Sequence, residues 1–404
     1  MKVAYFCEPQ LGGTFTFFKR LRPALAPHGI DFRCVAPLPA ARLKGTRFEG
    51  AEGVEAIDLA DALPEATGQL IAHLQREAYD LVMVLPAADL LSSNLPAYLP
   101  RAIRCVMRVP MMTRGAYAPA RAVATHLDLI HAVSDRIRDD LTGAYRIPPA
   151  QVEVIYHGVD PAPFPDTLEH KSSSGPVRLL YAGRLWDIDK GVFLLPIMMK
   201  RLRADGVDAH LTVAGDGPDA SALERRFREA GVMARVTIAG GLPLERMNAH
   251  YRDADVFVFP SRFEGCGFAV LEAMAASCAP VVSDIRGSLR VLVDDGSCGQ
   301  LARVGDGVDF ARAVRELSQD RARLAQVQQA ARRRVLDRFT ITRMAADYAA
   351  SFRRVLASPD TRAPVRPLSD YEIPRAMLPT WRTRIPRPIK NLARAWLERM
   401  GRSS

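Results

Sequence analysis

The stretch that decides the fold is residues 255–283, which read DVFVFPSRFEGCGFAVLEAMAASCAPVVS. Its first five residues, Asp255–Phe259, are mostly apolar, β-branched or aromatic, and they predict a buried strand that the following Pro-Ser pair ends. Two glycines then flank a cysteine, a helix is predicted over residues 268–276, and a second strand over Pro280–Ser283. This order predicts part of a parallel sheet, with the glycine loop at the carboxyl edge, where α/β folds hold ligands.

The loop and the helix start carry groups suited to an anion with attached hydroxyls. The first helical amides, near Gly267, Phe268 and Ala269, have no acceptor inside the helix and carry partial positive charge, which suits a phosphate. Glu272 follows about one turn later and would accept hydrogen bonds from neutral hydroxyls, such as those of a ribose. Glu264 lies in the loop, on the side from which that ligand would arrive. The spacing alone also fits a solvated pair of glutamates. The predicted strand, the Pro-Ser pair that ends it and the two glycines favour a binding site.

The segment Glu264–Glu272 resembles the E-x7-E signature of the retaining, nucleotide-sugar-dependent glycosyltransferases of the GT-B fold, family 4. The sequence of this segment departs from the usual family pattern at Cys266 and Phe268. The resemblance implies an α/β fold with two Rossmann-like, doubly wound parallel-sheet domains that face each other across a cleft. It also implies front-face attack with retention of anomeric configuration, in which the leaving phosphate takes the acceptor proton and no protein nucleophile is required.

Two cations lie in the loop that opens the second domain, at Arg184 and Lys190 of Gly183–Gly191. Side chains of this kind reach a diphosphate, and an arginine does so in a bidentate manner. A surface turn with two solvated cations is the alternative, and the resemblance to the family's Gly-Arg-Leu…Lys-Gly loop favours diphosphate binding. With Glu264, which would stabilise positive character on the anomeric carbon, they form the predicted catalytic set, and Glu272 would anchor the ribose.

A pair of glycines, Gly12 and Gly13, follows the first predicted strand and precedes a helical run. Paired glycines let the backbone approach a ligand closely at a helix start. From the residues alone a plain turn is an equally good interpretation. The resemblance favours the functional one, because such a loop in the family faces the donor phosphates or the acceptor.

Alternating strands and helices predict two domains. Five segments are expected: an N-terminal Rossmann-like, acceptor-side domain over 1–160, a Pro- and Ser-rich linker over 161–176, a nucleotide-sugar-binding domain over 177–338, a helix returning to the N-domain over 339–357, and a basic Pro/Arg-rich tail over 358–404.

The charge of the chain is unevenly distributed. The formal net charge is +10, yet residues 321–404 hold 19 Lys/Arg against 6 Asp/Glu, whereas residues 1–320 hold 36 against 39. A basic excess confined to one end disfavours a nucleic-acid groove. The six cysteines show neither close pairing nor metal-ligand spacing, and no apolar run is long enough to span a membrane. We therefore expect a reduced, cytoplasmic protein.

The basic tail contains apolar residues at helical spacing between 388 and 402, including Leu392, Trp396 and Met400, surrounded by arginines. Such an amphipathic helix suits an anionic membrane surface. Packing against its own domain or a partner is the competing interpretation, and the two remain open. Membrane binding would place the protein at the inner face of the cytoplasmic membrane.

We expect no metal and no further cofactor, because the two Asp-x-Asp sequences, at 187–189 and 253–255, are interpreted as incidental. No general base is assigned, since His126 and His131 are interpreted as structural. The predicted function is transfer of a hexose from a nucleotide-diphosphate sugar to a saccharide or lipid-linked acceptor in bacterial surface polysaccharide or glycolipid synthesis. The alternatives are a non-catalytic nucleotide-sugar-binding regulator and a membrane-tethered scaffold.

Overall fold

A computed structural model describes residues 1–10, 12–46, 48–86, 89–164 and 175–378. The chain forms two compact units. Unit 1 comprises Met1–Tyr156 and the described residues from Ile341 onward, and unit 2 comprises His157–Thr340. Most of the predicted linker and the whole of segment 388–402 lie outside the described residues. Within the described part of the chain, no helix has both the length and the apolar character needed to cross a membrane.

The centre of unit 1 is a seven-stranded parallel sheet in the order β3-β2-β1-β4-β5-β6-β7. Two of its inner strands, Leu81–Val84 and Arg104–Val109, are buried along their whole length, as expected when helices cover both faces of a sheet. The strands are β1 (Lys2–Phe6), β2 (Asp31–Ala36), β3 (Val54–Ala56), β4 (Leu81–Val84), β5 (Arg104–Val109), β6 (Leu129–Ala132) and β7 (Val152–Val154). The helices are α1 (Gly13–Leu25), α2 (Leu63–Arg76), α3 (Leu90–Asn94), α4 (Arg114–Val123) and α5 (Asp135–Asp139).

Unit 2 repeats this plan with a six-stranded parallel sheet in the order β10-β9-β8-β11-β12-β13. Its strands are β8 (Val177–Ala182), β9 (Ala209–Ala214), β10 (Val236–Gly240), β11 (Val256–Phe259), β12 (Ala279–Ser283) and β13 (Gln300–Ala302). Its helices are α6 (Asp187–Lys190), α7 (Leu194–Ala204), α8 (Ala220–Glu229), α9 (Leu244–Asp253), α10 (Phe268–Ala275), α11 (Leu289–Leu292), α12 (Gly307–Ser318) and α13 (Arg321–Arg338). The prediction of two doubly wound parallel sheets is confirmed.

The last long helix, α14 (Ile341–Ala357), belongs to unit 1 and is fixed there by a buried polar chain. The Ser351 hydroxyl donates to Glu153 at 2.6 Å, so its oxygen is left to accept from Nε2 of His131 at 2.8 Å. Arg354 donates to both oxygens of Glu153. His131 is fully buried, and the rings of Tyr348 and Phe352 lie edge-on beside it. The histidine is therefore a neutral structural donor in this unit.

Residues 358–378, the first part of the predicted tail, lie against unit 1. Arg362 is buried and donates to the carboxylate of Asp360 and to the Ile103 carbonyl at 3.0 Å. Further along, the Ala363 amide donates to the Thr125 carbonyl at 2.8 Å. The Tyr371 ring stacks on Tyr98 with 4.8 Å between centroids. These contacts fix the segment to the helical layer and to the amino ends of the strands.

The sheet of unit 2 places two loops side by side. β8 and β11 are neighbours in the middle of the sheet, at the point where the strand order reverses. Each strand leads into a loop at the carboxyl edge, where open α/β sheets bind ligands. The loops touch at Gly191, which has φ +61° and ends α6. A Cβ at this position would overlap the carbonyl oxygen of Pro260.

We predict that Gly191→Ala destabilises unit 2 by more than the cost of placing an alanine in a left-handed backbone conformation. Alanine costs about 1–2 kcal/mol at a left-handed position, and the overlap with Pro260 adds about 1–3 kcal/mol. The control is Gly206→Ala, because Gly206 has φ +72° but, apart from its chain neighbours, no described residue within 4 Å of an added Cβ. Urea denaturation of both variants measures the difference. Equal losses of stability would contradict close packing of the two loops.

We also predict that His131 makes unit 1 less stable in acid. Burial, followed by the charges of Arg108 and Arg354, lowers the pKa of His131 from its ordinary 6.5 to about 3. Between these values the unfolded chain binds a proton that the folded chain does not. The free energy of unfolding therefore falls by about 1.4 kcal/mol for each unit by which the pH is lowered. His131→Gln should flatten this slope by one proton in denaturation series from pH 7 to pH 4.

The matched control is His28→Gln, which removes a partly exposed imidazole from the same unit. This variant should retain the wild-type slope. If His131→Gln also retains it, the buried neutral histidine is not the source of the acid sensitivity.

Candidate active site

The candidate site lies at the carboxyl edge of the unit 2 sheet, where the loops after β8 and β11 meet. The Arg262 amide donates to the Asp189 carbonyl at 2.7 Å, and the Ser261 hydroxyl donates to the same oxygen at 3.0 Å. The Arg262 guanidinium also pairs with Asp187 at 3.3 Å. Backbone, hydroxyl and charged contacts therefore hold the two loops in one arrangement.

Helix α10 begins at this junction with its amide end toward the loops. Gly267 precedes the helix with φ +66°, and its carbonyl accepts from the Val270 amide at 3.1 Å. The turn therefore uses that carbonyl and directs the amides of Phe268 and Ala269 out of the helix end. No acidic residue lies in the first turn, and Gly267, at the N-cap position, has no side chain that could cap the helix. Partial positive charge is concentrated at this end.

The surroundings of the helix start are fixed by residues from elsewhere in unit 2. The buried Ser288 hydroxyl lies 2.6 Å from the Glu264 carbonyl and 3.0 Å from the Gly265 carbonyl. On another side, the His157 ring stacks flat on the Phe268 ring, with 4.0 Å between centroids and 6° between planes. These contacts determine where the loop and the first helical turn lie.

Lys190 and Glu264 meet directly at the junction. Nζ of Lys190 lies 2.6 Å from Oε2 of Glu264, and the two side chains are 19% and 15% exposed. The same ammonium lies 5.2 Å from the centroid of the Phe259 ring. A mostly buried pair of this kind loses less of its interaction to solvent screening than a surface pair. The structure thus brings together Lys190, which is predicted to bind a phosphate, and Glu264, whose carboxylate is predicted to act on the sugar.

Arg184 lies on the same loop but outside this pair. Its side chain is exposed, and its guanidinium lies 5.5 Å from the Trp186 ring. Its carbonyl accepts from the Tyr181 hydroxyl at 3.0 Å. Burial, followed by the charges of Asp189 and Glu264, raises the pKa of Tyr181 well above its ordinary value. The hydroxyl therefore stays protonated and fixes the loop backbone at Arg184.

Glu272 lies one turn into α10 and is 8% exposed. Oε2 of its carboxylate accepts from the Tyr251 hydroxyl at 2.8 Å. Tyr251 comes from α9, is buried, and packs edge-on against Phe164. A phenol held in this way fixes the position of the carboxylate.

The other predicted site residues, Gly12 and Gly13, belong to unit 1, where they begin α1. Both are exposed, and apart from chain neighbours no described residue lies within 4 Å of an added Cβ at either position. Gly12 has φ +154°, a conformation that favours glycine. The room around this turn is consistent with a backbone that a ligand approaches closely.

The two Asp-x-Asp sequences have protein partners. Asp187 accepts from the Phe193 amide at 2.8 Å and pairs with Arg262. Asp255 accepts from the Arg178 amide at 2.9 Å and from its guanidinium at 2.7 Å. Among the described residues, no three His, Cys, Asp or Glu side chains are grouped so as to hold a metal ion.

Sequence reasoning missed the residues that orient the site. Tyr251 and Ser288 reach it from 21 residues before Glu272 and 24 residues after Glu264. No local spacing pattern links them to the motif. Only the strand order, which brings α9 and the loop after β12 beside α10, would have indicated such partners.

Comparison with known proteins assigns both halves of the chain to one group of enzymes. Residues 11–163 match the family model described as Glycosyltransferase Family 4, and residues 176–320 match the model described as Glycosyl transferases group 1.

Two curated relatives show the same assignment. The chain is 30% identical over 257 residues to a glycogen synthase of Mycobacterium tuberculosis, covering 63% of this chain and 61% of the relative. It is 30% identical over 230 residues to the GDP-mannose-dependent alpha-(1-6)-phosphatidylinositol monomannoside mannosyltransferase of Mycolicibacterium smegmatis, covering 54% and 60%. The chain thus spans about three fifths of the length of these relatives.

A solved structure shows the same fold. HepE of Anabaena in complex with UDP and glucose superposes with a TM-score of 0.70 at 16% sequence identity, covering 87% of this chain and 99% of that one. Two doubly wound sheets, two family matches and this likeness agree with one another. The chain therefore belongs to the group 1, family 4 glycosyltransferases, a retaining family with the GT-B fold.

Proposed function

We propose that the protein transfers a hexose from a nucleotide-diphosphate sugar to an acceptor hydroxyl with retention of anomeric configuration. The observation that carries this proposal is the contact between Lys190 and Glu264 beside the start of α10. A cation suited to a phosphate and a carboxylate suited to a developing positive charge lie 2.6 Å apart there. Both charges that glycosyl transfer develops therefore have a partner at one place.

The donor diphosphate would lie against the amides of Phe268 and Ala269, with Lys190 and Arg184 around it. The helix end supplies donors and partial positive charge, and the two cations supply full charges. Arg184 is exposed and can turn toward the ligand, whereas Lys190 already lies at the junction. Glu272, oriented by Tyr251, would accept hydrogen bonds from the ribose hydroxyls.

The reaction would proceed on one face of the sugar. The bond between the anomeric carbon and the phosphate oxygen breaks, and its electron pair stays on the phosphate. The acceptor oxygen forms a bond to the same face of the carbon, and its proton passes to the leaving phosphate oxygen. Lys190, Arg184 and the helix amides stabilise the departing anion, while Glu264 stabilises the positive carbon. No metal or protein nucleophile enters this scheme.

We propose a lipid-linked or growing surface saccharide as the acceptor, with the protein at the inner face of the membrane. Two features support this choice. Segment 388–402 is basic and amphipathic in sequence, and residues 358–378 join it to unit 1. One relative acts, by its name, on a phosphatidylinositol monomannoside. Bacterial polysaccharide or glycolipid synthesis is the setting that fits both features.

We predict that alanine at Glu272 changes mainly KM, whereas alanine at Glu264 changes mainly kcat. Purified protein is first tested by thermal shift with UDP-glucose, GDP-mannose and ADP-glucose, and hydrolysis of the stabilising donor is then followed. Glu272→Ala should raise the KM about tenfold or more, because ribose hydrogen bonds to a carboxylate are lost. Glu264→Ala should lower kcat by about a hundredfold with little change in KM, because its role lies in the transition state.

The control for this experiment is Glu229→Ala, at the far end of α8, which should leave both constants unchanged. Wild-type-like kinetics for both motif variants would contradict the site assignment. A protein that binds a donor but never hydrolyses or transfers it would be the non-catalytic regulator.

We predict that the basic segment binds anionic lipid. The full chain should float with phosphatidylglycerol vesicles and stay behind with phosphatidylcholine vesicles, since the attraction is electrostatic. A chain ending at residue 378 lacks the basic segment but keeps residues 358–378, which pack on unit 1. It should lose flotation while retaining donor hydrolysis. A full chain that stays behind with both vesicles and glycosylates only soluble saccharides would contradict the membrane proposal. A function that is lost when residues 358–404 are deleted but survives Glu264→Ala and Glu272→Ala would instead favour the scaffold alternative.

A further inference from the structure

We propose that Glu264 also drives product release, by competing with the nucleoside diphosphate for Lys190. This inference rests on the proposed function and adds a step after the chemistry. Nζ of Lys190 and Oε2 of Glu264 lie 2.6 Å apart. The cation expected to bind the diphosphate is therefore already neutralised by a carboxylate of the same site.

The competition follows from charge. Lys190 carries one positive charge, which Glu264 already satisfies in a mostly buried contact. A diphosphate that reaches this ammonium also comes close to the Glu264 carboxylate, and two anions near each other repel. Arg262, another nearby cation, is held by Asp187 and by the Asp189 backbone. Glu264 therefore weakens diphosphate binding in two ways: it pairs with Lys190, and its carboxylate repels the diphosphate.

The loop geometry keeps this competition in place. Lys190 ends α6 immediately before Gly191, which lies against Pro260. The Glu264 carbonyl accepts from the buried Ser288 hydroxyl. Because these contacts hold both backbones, we expect Lys190 and Glu264 to separate by rotation of their side chains. Departure of the diphosphate would let this pair form again.

The sign of the effect changes along the reaction. While the sugar is being transferred, positive character on the anomeric carbon offsets the Glu264 charge. After transfer the sugar is neutral, and the free diphosphate has one more ionisable oxygen than the donor had. Repulsion by Glu264 is then no longer offset, and the carboxylate takes Lys190 back. The group that assists bond cleavage thus assists departure of the product.

The test is isothermal titration of UDP and GDP into wild type, Glu264→Gln, Lys190→Met and the double variant. Glu264→Gln keeps the shape of the side chain and removes its charge. The Kd of the nucleoside diphosphate should fall about threefold to tenfold, as expected for a part-buried ion pair. The change should be smaller for the intact donor and should shrink as salt is raised.

The double variant shows whether the effect passes through Lys190. In the Lys190→Met background, Glu264→Gln should gain less than half as much affinity as it does in wild type. Glu229→Gln removes the same charge from the end of α8 and should change nothing. Thermal melting checks that every variant is folded.

The outcomes separate this inference from the function on which it rests. If wild type binds neither diphosphate and no nucleotide sugar, the proposed function fails. If wild type binds but Glu264→Gln binds equally or more weakly, competition for the lysine is overturned and donor binding stands. An undiminished gain in the Lys190→Met background also overturns it, because the effect then does not involve the lysine.

Discussion

The backbone of Gly191 lies directly against the carbonyl oxygen of Pro260, and no side chain fits between them. This approach joins the loops that follow two neighbouring parallel strands in the middle of the unit 2 sheet. Hydrogen bonds from Ser261 and Arg262 to the opposite backbone hold the same junction. Because the loops are joined here, side chains 74 residues apart in sequence reach hydrogen-bond distance. The candidate site exists only where this junction forms.

The chemistry of the site comes from charges of opposite sign at one place. The amide end of α10 and Lys190 suit an anion, while Glu264 suits a cation, and glycosyl transfer produces both at once. The lysine and the glutamate satisfy each other. A mostly buried charge without a partner would be costly, so this pairing stabilises the site. It also means that any anionic ligand must compete with a carboxylate of the protein itself.

The sequence was informative where the determinants are local. Periodicity and turn residues predicted two doubly wound sheets, and the predicted helix at 268–276 corresponds to Phe268–Ala275. The orienting contacts could not be predicted, because Tyr251 and Ser288 come from other elements and depend on strand order. Segment 358–378 is predicted as part of the tail because it is rich in proline and arginine. Its fixed position depends on buried contacts of Arg362 with a distant carbonyl, which no local pattern shows.

The most direct measurement is a crystal structure of the protein with UDP or GDP bound. We predict that the terminal phosphate lies about 3 Å from the amides of Phe268 and Ala269. Lys190 and Arg184 should contact its oxygens, with Lys190 drawn away from Glu264. A nucleotide bound elsewhere in the protein, with this helix end covered by protein atoms and the ion pair intact, would contradict the central claim.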